Sequence, residues 1–259
     1  MRRSKLLARL RNKEAARICS LGHFIPSFVR QAAHFGFDAV WLDLEHRAFG
    51  TRELQALLAF FHRYDIDCLL RTPTLEKTGL YRHLEDGASG LMIPFVSTAE
   101  KTRTLVNAVK FPPVGERGKD GVGLDCDFLF PDDDYTDNAN RETFLTVQIE
   151  TPEAVDNVEE IAAVSGIDGL FVGPGDLGLR LQKQPTSWTL ETAIERVAAT
   201  AAKHGVAWGM PVGNVEDLKR RHEQGARLLA YGNEFIALME MLKSSAASFD
   251  SVLGDRKEV

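Results

Sequence analysis

The stretch FLTVQIETPEAVDNVEEIAAVSGIDGLFVG, residues 144–173, predicts one complete strand–helix–strand unit. Its two ends are short and mainly apolar, which is typical of strands that are buried on both faces of a parallel sheet. Between them, Thr151 is predicted to cap a helix, and Pro152 suits the first helical position. The helix has one apolar face, made by Val155, Val158 and Ile161. A unit of this kind predicts parallel β/α architecture.

The same alternation runs through most of the 259 residues. Short apolar segments predict further strands at 18–22, 38–44, 67–71, 90–95, 206–211 and 226–231. Eight strands over this length, most of them followed by a helix, predict a single-domain (β/α)8 TIM barrel. A doubly wound sheet is the alternative architecture. It would require a glycine-rich nucleotide turn after the first strand, and SLGHFIPS at 20–27 is not one.

Polar residues mark the predicted helix starts and the segments that flank the barrel. Thr51 marks the start of one predicted helix. The predicted caps of others are Thr189, Asn214 and Ser97, with Glu100 completing a capping box beside Ser97. Residues 1–16 predict an N-terminal helix, and 233–259 a C-terminal helix and tail. Residues 111–140 predict a long loop on the active-site side, because irregular stretches of this length are usually functional.

Composition limits the possible functions. The net charge of −6 argues against a nucleic-acid binder, and no apolar run is long enough to cross a membrane. The basic N-terminus lacks the apolar segment of a signal peptide. The three cysteines have no metal or disulfide spacing, so reduced thiols in a cytoplasmic protein are expected: Cys19, Cys68 and Cys126.

Polar side chains stand at or just beyond the ends of several predicted strands. In a TIM barrel these ends meet at one mouth, where the active site lies. The residues concerned are Asp43, Glu45, His46, Arg71, Gln148, Glu150 and Asp176. Their convergence from distant parts of the chain predicts a chemical site.

Glu150 and Asp176 are separated by about one helix and one strand, so their carboxylates are predicted to be neighbours. Adjacent carboxylates repel each other unless a cation or a proton lies between them. An all-oxygen site of this kind suits Mg²⁺, with Mn²⁺ or Co²⁺ as alternatives. The other interpretation is that both residues are helix caps.

His46 is a candidate general base, because imidazole titrates near neutral pH, and Asp43 could orient it. Arg71 could bind a carboxylate or an enolate oxygen through its planar fork. A solvent-exposed histidine and a structural ion pair of Arg71 are the alternatives. Base, cation and guanidinium together suggest enolate chemistry, and no predicted strand ends in the lysine that a Schiff-base aldolase would need.

The motifs resemble a known family, the HpcH/HpaI-type metal-dependent (class II) pyruvate aldolases of the phosphoenolpyruvate/pyruvate barrel superfamily. The resemblance covers residues 21–242. It rests on FDAVWLDLEH, RTP, LEDGASGLMIPFVSTAE, FPPVGERG, VQIETPEAVDNVEEIAAVSGIDGLFVGPGDL and GARLLAYGNE. Such enzymes cleave 4-hydroxy-2-oxo acids to pyruvate and an aldehyde, or catalyse the reverse addition.

The resemblance implies a role for each matching residue. Glu150 and Asp176 would be the metal ligands, and Gln148, Pro174 and Gly175 would bind the pyruvate portion of the substrate. The expected partners are therefore a small-molecule 2-oxo acid and an aldehyde.

The catalytic roles implied by the resemblance fall on four residues. Arg71 would hold the carboxylate or enolate oxygen, and His46, paired with Asp43, would act as base. Glu85, where the family usually has Asp, would reach from the helix after strand three into a neighbouring subunit's site.

The resemblance also implies a homohexamer, a trimer of dimers that exchange a C-terminal helix. Here the apolar segment FIALMEML at 235–242 could be exchanged, or it could pack on its own barrel. Two other functions stay open. One is a carbon–carbon synthase or lyase of the same superfamily, with citrate-synthase-like or acyl-thioester chemistry. The other is a non-catalytic barrel that binds an acidic metabolite.

Overall fold

Eight parallel strands close into a barrel in the computed structural model, which describes residues 1–130 and 132–254. The strands follow one another around the barrel in sequence order, and the last pairs with the first. They are β1 Ala16–Leu21, β2 Ala39–Asp43, β3 Asp67–Arg71, β4 Gly90–Ile93, β5 Phe144–Ile149, β6 Gly169–Val172, β7 Ala207–Pro211 and β8 Leu228–Asn233. The closed sheet confirms the TIM barrel and excludes the doubly wound alternative, whose sheet is open.

Helices connect and flank the strands. Within the described residues they are α1 Lys5–Arg11, α2 Pro26–His34, α3 Thr51–Arg63, α4 Lys77–Glu85, α5 Ala99–Val109, α6 Tyr135–Glu142, α7 Pro152–Asp156, α8 Val158–Ala162, α9 Pro174–Lys183, α10 Leu190–His204, α11 Val215–Glu223 and α12 Glu234–Leu253. None of them has the length and apolar character that crossing a membrane requires.

The apolar side chains form two main layers. The larger lies between the strands and the surrounding helices, and includes Leu57 and Phe61 of α3. The smaller fills the barrel itself, where Trp41 meets Phe171 edge-on at a centroid distance of 5.5 Å. The barrel is therefore a packed core with a site only at its end, as this fold requires.

The N-terminal helix closes the end of the barrel opposite the mouth. It is shorter than predicted, because α1 spans Lys5–Arg11 and Ala16 already belongs to β1. Leu6 and Leu7 of α1 are buried in the barrel layer. The buried carboxylate of Asp67 accepts hydrogen bonds from Ser4 Oγ at 2.7 Å and from the Leu6 backbone N–H at 2.8 Å.

Three sequence predictions about local structure are wrong. The single helix predicted after Thr151 is two short helices, α7 and α8, which meet at Asn157. The capping box at Ser97 does not form; α5 begins one residue later, and Thr98 accepts from the Lys101 N–H. The segment 111–140 is not one irregular loop, because it contains a 3-10 turn at 124–126 and the start of α6. The last two differences follow from local hydrogen bonds that the apolar pattern does not reveal. Pro131 within this segment, and 255–259 of the predicted tail, lie outside the described residues.

Candidate active site

An ion-pair network joins the ends of β2 and β3 at the mouth of the barrel. Asp43 and Arg71 are in register across these strands, which brings their side chains together. Arg71 donates from Nε and Nη2 to the two oxygens of Asp43 at 2.9 and 2.8 Å, and its Nη1 lies 2.9 Å from Glu45 Oε2. The guanidinium also stacks over the Trp41 ring at 4.6 Å. All three charged side chains are largely buried.

This network changes the role predicted for Asp43. Its side chain binds Arg71, and it meets His46 only by accepting from the His46 backbone N–H at 3.4 Å. The carboxylate within 4 Å of the imidazole is that of Glu45, 3.7 Å from Nε2. Burial alone would raise the pKa of Asp43, but the hydrogen bonds from Arg71 outweigh it and the pKa is lowered. The expected pairing of Asp43 with the ring is thus replaced by Glu45.

Glu150 is the buried acid of the mouth. It follows β5, is 2% exposed, and accepts a 2.7 Å hydrogen bond from the Phe95 backbone N–H at Oε1. Burial raises its pKa to about 7, and the negative charges of Glu45 and Asp176 add to the increase. The Phe95 N–H and Arg71 act in the opposite direction. Ionisation of this buried carboxylate therefore costs free energy, and a bound cation would offset that cost.

Asp176 approaches Glu150 from the neighbouring unit. It lies in the first turn of α9, which Pro174 begins directly after β6 and Gly173. Gly173 is needed for this approach, because a Cβ there would lie 2.3 Å from Glu150 Oε2. The β6–α9 connection thus provides the carboxylate of Asp176 and, at Gly173, the space for the carboxylate of Glu150.

The residues predicted to bind substrate lie around these two acids. Gln148 is 1% exposed, and its Oε1 has no hydrogen-bond partner among the described residues. Pro174 and Gly175 form the first turn of α9, and a Cβ on Gly175 would meet no atom within 4 Å. A buried acceptor without a partner and an accessible helix N-terminus are both suited to a polar, anionic ligand.

Phe95 and Lys101 belong to the site, and sequence reasoning missed them. Phe95 has a φ of 53°, a region that residues with side chains rarely adopt. Its carbonyl accepts a 2.7 Å hydrogen bond from Lys101 Nζ, while its N–H binds Glu150. Burial lowers the pKa of Lys101, and Glu150 counteracts this. No sequence signal marks a non-glycine residue for such a backbone conformation.

Glu85 does not reach the mouth of its own barrel. It is the last residue of α4, five residues before β4 begins, so it lies towards the opposite end. There it lines a surface groove with Asp86 and Asp120, and burial raises its pKa, with these acids adding to the effect. Any contribution of Glu85 to catalysis would have to be made in another subunit.

The donor set fits a divalent ion that retains open coordination positions. No cluster of three or more His, Cys, Asp or Glu side chains suited to a metal occurs in 1–130 or 132–254. The two neighbouring carboxylates, Glu150 and Asp176, with the unpartnered Gln148 Oε1 nearby in the same mouth, supply oxygen ligands. Mg²⁺ is commonly bound by one or two carboxylates, with water and substrate oxygens completing the octahedron.

Comparison with known proteins gives the family. Residues 20–240 match the family described as HpcH/HpaI aldolase/citrate lyase. The hydroxypyruvate/pyruvate aldolase of Roseovarius nubinhibens is 32% identical over 238 residues, 89% of this chain and 91% of the relative. The 5-keto-4-deoxy-D-glucarate aldolase of Klebsiella pneumoniae is 33% identical over 233 residues, 89% of this chain and 90% of the relative.

A solved structure supports the same assignment over the whole fold. The crystal structure of an HpcH/HpaI aldolase from Desulfitobacterium hafniense has a TM-score of 0.89 and 28% identity. The match covers 96% of this chain and 98% of that one. The chain therefore belongs to the HpcH/HpaI aldolase/citrate lyase family of carbon–carbon lyases.

Proposed function

We propose that the protein is a divalent-cation-dependent aldolase that cleaves or forms 4-hydroxy-2-oxo acids, with pyruvate and an aldehyde as the other partners. The observation that carries this proposal is the buried Glu150 beside Asp176, with its pKa raised to about 7. The relatives named as aldolases of 2-oxo acids support the same activity.

Glu150 and Asp176 would hold the cation, with Mg²⁺ as the first choice and Mn²⁺ or Co²⁺ as alternatives. When bound, the cation supplies Lewis-acid stabilisation for negative charge on the 2-oxo oxygen of the substrate. The rigid Phe95 N–H fixes one carboxylate and the α9 backbone fixes the other.

The substrate is oriented by the first turn of α9 and by Gln148. The backbone N–H groups of Gly175 and Asp176 lie in the first turn of α9, where they have no partner within the helix, and they are suited to the carboxylate of a 2-oxo acid. Gln148 contributes polar contacts from the floor of the mouth, where its side chain is shielded from water.

His46 acts as the base in cleavage, taking the proton of the 4-hydroxyl group. The C3–C4 bond then breaks, its electron pair passes into the 2-oxo group, and the aldehyde leaves. C3 is protonated afterwards, giving pyruvate. Glu45, 3.7 Å from the imidazole, stabilises its positive charge once it has taken the proton. Arg71 has N–H groups that are not bonded to Asp43 or Glu45, and these stabilise the developing negative charge.

A retro-aldol assay tests the activity. Purified protein is given a panel of 4-hydroxy-2-oxo acids with Mg²⁺, Mn²⁺ or Co²⁺, and pyruvate release is followed. We expect release from at least one member, and a loss of about 10² or more in rate for His46→Ala, the scale of a general base. No release with any cation, but cleavage of citrate-like or acyl-thioester substrates, would favour the lyase or synthase alternative.

We also propose that the protein is a homo-oligomer, a hexamer built as a trimer of dimers. None of the residues of α12 is buried, and Phe235, Ile236 and Leu238 each expose more than half of their surface. Exposed apolar helices of this kind mark association surfaces. Assembly would also give Glu85 a neighbouring mouth to enter.

A cytoplasmic location is consistent with the state of the cysteines. All three are buried as free thiols. Burial raises the pKa of Cys19 to about 12 and of Cys126 to about 11, which keeps both thiols protonated and unreactive.

A further inference from the structure

Phe95 has a backbone conformation that needs support from the rest of the protein. It lies two residues beyond the end of β4, and its φ of 53° is in the left-handed region. Any residue with a Cβ pays free energy to adopt this region, and a bulky aromatic residue does so rarely. Such strain persists only where surrounding contacts maintain it, and it is concentrated at functional sites. The contacts of Phe95 therefore show what its conformation is for.

Lys101 provides the contact on the carbonyl side of Phe95. It lies in the first turn of α5, and its Nζ donates to the Phe95 carbonyl oxygen at 2.7 Å. A positive charge in the first turn of a helix is opposed by the helix dipole, so helix stability does not explain a lysine here. The side chain is partly buried as well. The position of Lys101 is thus explained by its bond to Phe95.

The N–H of Phe95 holds the carboxylate of Glu150 in one orientation. It donates to Oε1 at 2.7 Å. The other oxygen, Oε2, faces the start of α9, because a Cβ at Gly173 would lie 2.3 Å from it. Two hydrogen bonds therefore connect Lys101 to Glu150 through the strained residue, and they decide which carboxylate oxygen is turned towards the helix that carries Asp176.

We propose that Lys101 is a positioning residue, whose ammonium group keeps Phe95 in its left-handed conformation so that Glu150 presents Oε2 to the cation. This inference rests on the proposed cation site and adds the device that orients one of its ligands. Groups that orient a metal ligand contribute to affinity without touching the metal. Lys101 would act in this way through two hydrogen bonds.

The sign of a change in Mn²⁺ affinity separates positioning from a simple effect of charge. By calorimetric titration we expect Lys101→Met to bind Mn²⁺ about tenfold more weakly than the wild type, the lower end of the range for groups that orient ligands. A purely electrostatic role predicts tighter binding, because a positive charge close to the cation has been removed. Affinity that rose, or did not change, would overturn the proposal.

Two further variants serve as references in this titration. Lys101→Arg keeps a positive donor and should retain part of the Mn²⁺ affinity that Lys101→Met loses. Arg103→Met removes an exposed cation from the same helix and should bind Mn²⁺ like the wild type. A loss in Arg103→Met as large as that in Lys101→Met would contradict a specific role of Lys101.

Double variants test whether the strain at Phe95 is what Lys101 maintains. Phe95→Gly and Phe95→Ala both remove the ring, but glycine adopts a positive φ without the cost that alanine pays. Combined with Lys101→Met, Phe95→Gly should restore Mn²⁺ affinity to within about threefold of the wild type, whereas Phe95→Ala should not. Equal affinities of the two double variants would contradict the account.

Hydrogen exchange at the Phe95 amide tests the positioning without cation or turnover. We expect this amide to exchange about tenfold or more faster in Lys101→Met than in the wild type, and at the wild-type rate in Arg103→Met. Equal rates in Lys101→Met and the wild type would refute the role of Lys101, whether or not the protein binds Mn²⁺. Faster exchange in Lys101→Met, with no Mn²⁺ binding by the wild type, would support the contact with Phe95 and refute the proposed cation site.

Discussion

Arg71 shows how a single residue links fold and chemistry. It ends β3, a strand whose other residues are buried, and its guanidinium is shared between Asp43 on β2 and Glu45 just beyond it. Removing one partner of a buried ion pair leaves the other charge uncompensated, which is costly. The network therefore stabilises the mouth and also holds Arg71 where negative charge would develop.

Asp43→Asn should destabilise the protein in a pH-dependent way. The pKa of Asp43 is lower in the folded than in the unfolded chain, so the ionised side chain stabilises the fold above the unfolded value of about 3.9. This stabilisation is lost as the pH falls through the folded pKa. Urea unfolding should show a deficit of about 1–3 kcal/mol at pH 7 that shrinks near pH 3.

The exposed Asp133→Asn provides the matched control for this substitution and should change the free energy of unfolding little at either pH. A deficit of Asp43→Asn that stayed constant, or grew, on acidification would contradict the ion-pair account.

At the residue scale, the sequence predicted which side chains reach the mouth better than it predicted how they pair. Asp43, Glu150 and Asp176 could be placed at the mouth because they end strands or follow them. The pairing of Asp43 with Arg71 depends on the register of β2 with β3, which spacing along the chain does not report. Phe95 could not be foreseen at all, because no sequence signal marks its backbone conformation.

Among the elements, the β6–α9 connection positions both proposed metal ligands. Asp176 stands on it, and Gly173 leaves room for Glu150 Oε2. Gly173→Ala should therefore displace the Glu150 side chain and weaken Mg²⁺ or Mn²⁺ binding by about tenfold or more, since even 1.4 kcal/mol corresponds to that factor. Calorimetric titration with Mn²⁺ measures the affinity directly.

Gly178→Ala is the control for this connection. Gly178 lies within α9, and a Cβ there would meet no atom within 4 Å. This variant should bind Mn²⁺ normally. Because alanine in a helix interior is more stable than glycine, it should also unfold at a slightly higher temperature than the wild type. Normal Mn²⁺ affinity in Gly173→Ala would show that Glu150 is not a ligand.

The elements themselves were largely predictable, and the exceptions have physical reasons. The eight strands lie within about two or three residues of their predicted positions, because continuous apolar segments between polar connections are a strong signal. α6 was not predicted, since YTDNANRE lacks an apolar stripe. It is held instead by specific hydrogen bonds. Tyr135 Oη donates to Asp125 at 2.5 Å. The Asn140 side chain accepts from the Phe111 backbone N–H and donates to the Phe111 carbonyl.

At the scale of the whole molecule, the apolar side chains of α12 stay exposed to solvent in the single chain, which suggests that another subunit covers them. Replacing Ile236 and Met239 together by Glu should lower the mass of the assembly in light scattering coupled to size-exclusion chromatography, because a buried interface does not tolerate unpaired charges. Ser244→Glu, a polar position on the same helix, should leave the mass unchanged. A monomeric wild type, or a double variant of unaltered mass, would contradict the proposed oligomer.

The central claim is that this mouth forms the enolate of a 2-oxo acid with the help of a cation held by Glu150 and Asp176. Exchange of the pyruvate methyl protons in D₂O, followed by NMR, tests it without knowledge of the aldehyde. The account predicts exchange that requires Mg²⁺ or Mn²⁺, stops on chelation, returns when the cation is restored, and falls by about 10² or more in Glu150→Gln. Exchange that continued in the presence of chelator, or at the wild-type rate in Glu150→Gln, would contradict it.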